Sequence, residues 1–374
     1  MKVCMVSDSY YPHPGGVTEH IHHTAVELRK LGHTVKILTA SFGDNQGFNE
    51  PDILRVGRSI LVPANKSFAS LTVGLSLPLE VKRILRAGDF DLVHTHGPLA
   101  PTLPVLALLY SNSVNIATFH AASERFLAYE ILSPVLMPLF KRIHGPIAVS
   151  EVARETIARY FPGDYRIIPN GVDTGRFNPR LEPISEYSDE RQNILFVGRF
   201  DPRKGLKYLL MAMPRILKSV PKARLLVVGK GFLKSFYRRY LDPKAQSSVV
   251  FVGYVEPDLL PRYYATADVF CSPATGAESF GIILLESMAA GTPLVASDID
   301  GYRQVVSHME DGIVVPPFNP EALGGAIVKL LKNESLRRKF RENGLKKADH
   351  FSWRRVTRSL EQYYIEVMER VPSR

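Results

Sequence analysis

The chain has 374 residues, of which 45% are hydrophobic and 22% charged, with a formal net charge of +10. That length exceeds one ordinary core and suits two domains, and the composition excludes a disordered or low-complexity protein. Its two cysteines, Cys4 and Cys271, lie far apart in apolar runs, which excludes a disulfide framework and a thiolate zinc site.

Residues 3–7 read as a short apolar strand. A helix over 16–31 follows, with Val17, Ile21, Ala25, Leu28 and Leu31 on one face and Gly32 as its stop. Strands are expected at 33–40, 91–96, 115–120 and 146–150, with helices at 77–87, 98–110 and 126–142 between them. Ser150 makes no capping box with Ala153 but can cap a further helix alone. The stretch 179–190 is polar, with scattered Pro, Ser, Asp and Glu, and reads as a linker. Alternation then restarts with strands at 193–198, 224–229, 249–255, 269–273 and 293–297 and helices at 205–220 and 280–290. A helical tail over 320–371 has Trp353, Leu360, Tyr363, Tyr364 and Val367 on its apolar face. The expected domains are therefore 1–180, 190–352 and a C-terminal helix 353–374 returning to the first domain. Strands alternating with helices predict an α/β protein with two parallel sheets, whose ligands bind at the carboxyl edges.

The apolar stretches 98–110 and 126–140 are respectively too short to span a bilayer and interrupted by Glu130 and Pro134. No targeting segment is apparent, so the expected location is the cytoplasm. Residues 1–190 carry 18 Lys and Arg against 19 Asp and Glu, and the remainder 29 against 18. A basic second half suits an anionic partner. Many of its cations (Arg337, Arg338, Lys339, Arg341, Lys346, Lys347) fall on helix faces without interleaved aromatics, so nucleic acid is not the expected partner.

Three segments carry chemistry. Pro14-Gly15-Gly16-Val17 follows the first strand and opens a helix, where glycines let a ligand approach backbone N–H groups. Gly198-Arg199-Phe200-Asp201-Pro202-Arg203-Lys204-Gly205 follows the first strand of the second domain, and Arg199 with Lys204 suits a pyrophosphate. Glu278-Ser279-Phe280-Gly281-Ile282-Ile283-Leu284-Leu285-Glu286 sets one carboxylate before a helix and one inside it. A carboxylate in an apolar helix needs a partner, and a vicinal diol supplies two hydroxyls. Glu286 suits a ribose, Glu278 a transferred sugar, and the N–H groups of Phe280, Gly281 and Ile282 suit phosphate.

Together with Ala117-Thr118-Phe119-His120 and Ile168-Pro169-Asn170-Gly171-Val172-Asp173, these segments resemble glycosyltransferase family 4 over nearly the whole chain. Within it the sequence looks most like the bacterial phosphatidylinositol mannosyltransferases. The resemblance implies the GT-B fold, with two Rossmann-like domains facing a central cleft. It also implies a retaining hexosyltransferase that moves a sugar, mannose from GDP-mannose in the first instance, to a lipid acceptor such as phosphatidylinositol. Gly16 would pack against the donor phosphate, Arg199 and Lys204 would neutralise the leaving diphosphate, and His120 would face the reacting centre. Glu278 and Glu286 would hold the sugar and the ribose. No tightly bound cofactor is implied, and no obligate metal motif, with Mg2+ an optional companion.

A lipid acceptor would bring a peripheral contact with the inner face of the cell membrane, for which Lys82, Arg83 and Arg86 are candidates. Leu79 and Glu80 stand where the resemblance to the mannosyltransferases implies further cations, and 126–140 either joins that contact or packs in the core. His20, His22 and His23 do not share one helix face and predict no metal site. His94 and His96 end a strand and are candidate substrate contacts, whereas Asp298 and Asp300 read as solvated loop carboxylates. Alternatives are a UDP-sugar transferase with another acceptor, a sugar-nucleotide epimerase, and an inactive nucleotide-sugar-binding protein.

Overall fold

The computed structural model describes residues 1–371 apart from 14, 44–50, 65–66, 100–101, 123–125 and 232–233, with backbone alone at 63–64, 67–69 and 234–235. Two compact units divide it: Met1–Asn170 with Trp353–Arg374, and Gly171–Ser352.

The first unit runs β1 (Lys2–Ser7), α1 (Gly16–Lys30), β2 (Thr34–Ala40), β3 (Ile53–Val56), β4 (Arg58–Ala64), β5 (Ser67–Val73), α2 (Leu77–Gly88), β6 (Leu92–His96), α3 (Leu103–Tyr110), β7 (Val114–Phe119), α4 (Leu127–Phe140), β8 (Gly145–Ala148), α5 (Glu151–Ala158) and β9 (Arg166–Ile167). Seven strands form one parallel sheet in the order β3-β2-β1-β6-β7-β8-β9, and β4 pairs with β5 antiparallel. Val3, Met5, Leu92, Ile116 and Ile147 are buried because helices cover both faces of a parallel sheet. Helix α1 buries Ile21, Ala25 and Leu28 at helical spacing, and α5 is capped by Ser150, whose hydroxyl accepts from Ala153 N at 3.1 Å.

The second unit runs β10 (Gln192–Val197), α6 (Leu206–Ser219), β11 (Ala223–Val228), α7 (Lys234–Arg238), β12 (Val249–Gly253), α8 (Leu260–Thr266), β13 (Val269–Ser272), α9 (Ile282–Ala289), β14 (Leu294–Ser297), α10 (Asp300–Arg303), β15 (Ile313–Val315), α11 (Pro320–Lys332) and α12 (Glu334–His350). Its six-stranded sheet has the order β12-β11-β10-β13-β14-β15, with every pairing parallel. Finally α13 (Trp353–Arg370) belongs to the first unit, burying Trp353, Val356, Leu360, Tyr364 and Val367 in a core shared with Val3, Ile21 and Leu92.

Several expectations change. The polar stretch 179–190 lies inside the second unit: Tyr187 is buried, and Arg224 donates to Tyr187 O at 2.8 Å and Asp189 Oδ1 at 2.9 Å. The division instead falls at Asn170 and Gly171. The antiparallel pair β4–β5 and the short strands β3, β9 and β15 escaped the sequence reading, the pair because its pattern is weak and the others because they are brief. Helix α4 buries only Phe140 and leaves Leu127, Ile131, Leu132 and Val135 exposed, so its apolar run is mostly surface.

Candidate active site

In each sheet the connection order reverses once, between β1 and β6 in the first unit and between β10 and β13 in the second. Loops leaving two such strands diverge and open a crevice at the carboxyl edge. The functional candidates of the second unit lie on the loops after β10 and β13 and on α9, which the second of these loops enters.

These two loops are stitched together. Thr275 N donates to Arg203 O at 2.8 Å, and the Arg203 guanidinium donates to Ala277 O at 3.1 Å while it also pairs with Asp201. Gly205 has φ +71° and sits where a Cβ would lie 1.8 Å from Pro273 O, so only glycine lets the loops approach this closely. Across that seam Lys204 Nζ donates to Glu278 Oε1 at 2.7 Å, with the two side chains 19% and 14% exposed. Ala277 adopts φ 55°, a left-handed conformation, immediately before Glu278. Arg199 is exposed on the same loop as Lys204.

Helix α9 starts at Ile282, two residues later than its apolar run suggests. Gly281 turns the chain at φ 94° beneath the Tyr302 ring, and no side chain caps the helix. Its first N–H groups therefore suit an anion. Phe280 precedes the helix and is buried against the core, with its ring centroid 5.8 Å from that of Phe351, so only its backbone is a candidate ligand group. Glu286 is half-buried and accepts from Tyr264 Oη at 2.8 Å. The sequence reading missed Tyr264; its signal is a tyrosine followed by Thr266 at the end of a helix that packs on α9.

The first unit is built differently. Asp8, just past β1, is buried, and its Oδ1 accepts from Thr72 N (3.1 Å), the Thr72 hydroxyl, the Thr102 hydroxyl (2.8 Å) and Leu103 N (3.3 Å). Burial pushes its carboxyl above the usual range, against the pull of those hydrogen bonds. This carboxylate ties the loop after β1 to the start of α3 and was also missed. Pro14 lies outside the described residues; Gly15 and Gly16 are exposed, and α1 opens at Gly16 without a side-chain cap.

A group of histidines gathers where α1 meets the ends of β6 and β7. His20 Nδ1 donates to Asn170 Oδ1 at 2.9 Å, and His96 Nδ1 lies 3.0 Å from His120 Nε2. Burial lowers the His20 pKa to about 4 and holds His96 and His120 well below the ordinary imidazole range, the neighbouring rings adding to the effect. These imidazoles are neutral at physiological pH. His120 is the most open of the three.

Other expectations are corrected. His94 is no substrate contact: it is fully buried, with Nδ1 2.6 Å from Tyr364 Oη and Nε2 2.7 Å from Thr118 Oγ1, both ring nitrogens being used inside the fold. His96 is likewise buried and meets His120. Asp298 and Asp300 do reach solvent, and on that surface Arg303 pairs with them at 2.6 and 3.0 Å. On α1, His22 meets the Tyr10 hydroxyl at 3.0 Å and His23 stacks on Trp353. On α2, Leu77, Val81 and Leu85 are buried, Arg83 and Arg86 are exposed, and Lys82 is half-buried with its ammonium 5.8 Å from the Tyr110 ring centroid. No helix among the described residues is long and apolar enough to cross a membrane.

Comparison with known proteins places these residues in context. Residues 14–176 match the family described as Glycosyltransferase Family 4, and residues 179–347 match Glycosyl transferases group 1. The phosphatidyl-myo-inositol mannosyltransferase of Mycolicibacterium smegmatis is 33% identical over 366 residues, covering 97% of this chain and 93% of the relative. A glycosyltransferase of Rickettsia africae superposes with a TM-score of 0.80 at 20% identity, covering 99% of both chains. Anabaena HepE, solved in complex with UDP and glucose, gives 0.75 at 18% identity, covering 98% of this chain and 99% of its own.

Proposed function

From the premise that this chain belongs to glycosyltransferase family 4, we propose that it transfers mannose from GDP-mannose to phosphatidylinositol with retention at the anomeric carbon. The carrying observation is the Lys204–Glu278 pair, poised across the two loops that flank the reversal point of the second sheet. In the resting protein each side chain satisfies the other. When the donor enters, Lys204 and Arg199 turn to the diphosphate and Glu278 accepts from hydroxyls of the sugar. The uncapped start of α9, around Phe280, Gly281 and Ile282, adds backbone N–H groups to the phosphate site. Glu286, oriented by Tyr264, accepts from the ribose diol.

The reaction then runs on the front face of the sugar. The bond from the anomeric carbon to the diphosphate oxygen breaks as the acceptor hydroxyl oxygen bonds the same carbon. The acceptor proton passes to the departing phosphate. The enzyme's contribution is electrostatic: once the donor has drawn Lys204 and Arg199 to its diphosphate, cations and N–H groups stand where negative charge grows in the reaction step. His120, kept neutral by burial, offers a hydrogen bond near the reacting centre rather than a fixed charge. The lipid reading draws on the mannosyltransferase relative and on exposed Arg83, Arg86, Leu79, Leu127, Ile131 and Val135, which suit a membrane surface.

The test presents phosphatidylinositol vesicles with GDP-mannose, UDP-glucose or UDP-galactose and reads the product's anomeric configuration by NMR. An α-mannosyl lipid made only from GDP-mannose supports the reading. A β-linked product removes retention, and transfer only from a UDP-sugar removes mannose. Conversion of the donor alone, without acceptor, points to an epimerase.

A further inference from the structure

The proposed reaction uses one histidine, yet the fold gathers three. His20 comes from α1, His96 from the end of β6, and His120 directly follows β7. One ring nitrogen from each lies within 4.8 Å of those of the other two. The ring centroids are 5.4 Å apart for His20 and His96, 4.9 Å for His20 and His120, and 5.3 Å for His96 and His120.

Three features distinguish this group from incidental packing. Asn170 Oδ1 can only accept, so the proton of His20 sits on Nδ1 and Nε2 keeps its lone pair. That arrangement, an imidazole oriented by an oxygen on its far nitrogen, is the usual support of a metal-binding histidine. His96 Nε2 is buried and has no hydrogen-bond partner among the described residues, so nothing on that side fixes the tautomer of the ring, and Nδ1 can present its lone pair to an ion. Finally, the 3.0 Å between His96 Nδ1 and His120 Nε2 is close to the roughly 3.3 Å separating two nitrogens bound to one tetrahedral ion at about 2.0 Å.

We infer that His20, His96 and His120 form a binding site for a borderline divalent transition ion such as Zn2+ or Co2+. Imidazole nitrogen selects these ions over Mg2+ and Ca2+, which prefer oxygen. On binding, the ion takes the position of the proton shared by His96 and His120. That proton moves to the far nitrogen of its own ring, so three neutral imidazoles accept the ion without releasing a proton. His94 is not a ligand, because both of its nitrogens are engaged, but its ring lies 4.3 Å from that of His96 and steadies it. The more open side of His120 leaves a fourth position for water. An ion there ties up the histidine assigned above to the reacting centre and inhibits transfer; this consequence alone rests on the proposed function.

The test is a titration of the full-length protein with Co2+, followed by visible absorption, with Zn2+ as competitor. One ion per chain with the intense bands of four-coordinate Co2+ is expected. His120→Asn, at the most open of the three positions, should bind at least about tenfold more weakly, with circular dichroism confirming its fold. The paired substitution His22→Gln with His23→Gln, on the same helix, should bind as the wild type does. Absence of one-to-one binding, undiminished binding by His120→Asn, or loss of binding in the His22/His23 variant each overturns the site. Tight Co2+ binding without inhibition of mannosyl transfer supports the site and removes the role of His120 in the reaction.

Discussion

The two sheet-reversal points of this molecule are closed by opposite means. In the first unit, Asp8 ties the loops after β1 and β6 through one buried oxygen that gathers four donors. In the second, Lys204 and Glu278 bridge the corresponding loops with a pair of partly exposed charges. Buried and saturated, Asp8 can exchange no partner without cost to the fold. The Lys204–Glu278 pair can be prised open by a ligand offering both an anion and hydroxyl groups. The same topological position thus serves as a rivet in one half and as a latch in the other.

Lys204→Ala or Glu278→Ala should lower kcat/KM by about 10²–10³-fold with only a small change in melting temperature. A large fall in melting temperature would make the pair a second rivet. Asp8→Ala should do the reverse, destabilising the first unit by about 3 kcal/mol by stranding its donors, as read from a lowered first thermal transition. Unchanged unfolding would remove the distinction.

Acid sharpens the contrast. His20 titrates near pH 4 in the fold, below its ordinary value of 6.5. Between those values the unfolded chain binds the extra proton, so stability is full above about pH 6.5 and falls as pH drops towards 4. From pH 7 to pH 5 this one group removes about 2 kcal/mol from the first unit. Differential scanning calorimetry should show the first unit's transition moving down, and a matching shift in the second would count against the assignment. At the outer surface, neutralising Lys82, Arg83 and Arg86 together should cost roughly 2 kcal/mol of vesicle attachment, at about 1 kcal/mol for each exposed arginine. Lys82, half-buried beside Tyr110, adds less. Activity on vesicles should fall about thirtyfold while activity on detergent-dispersed lipid is kept; equal loss in both formats removes membrane docking.

The latch was legible in the sequence because its parts are contiguous: Arg199 to Lys204 in one loop, Glu278 to Glu286 in another, each following an apolar strand. The alternation of strands and helices likewise declared the two sheets. The rivet was not legible, since Asp8 finds Thr72, Thr102 and Leu103 across long stretches of chain, and no local pattern ties them together. The histidine group shows the same limit. Spacing along α1 argued against a metal face, whereas the group that forms draws one residue from each of three elements. His94 and His96 looked like substrate contacts because strand ends line sites, but pairing with Tyr364, more than 250 residues away, cannot be read from a pentapeptide.

The return of α13 also bears on the order in which the protein is made. Trp353, Leu360 and Tyr364 fill the core of the first unit, and Tyr364 holds His94. A ribosome therefore delivers the whole second unit before the first has its last helix. Until then the first unit carries an open apolar seam along β1 and α1, and a chaperone that shelters nascent chains has a defined stretch of surface to cover.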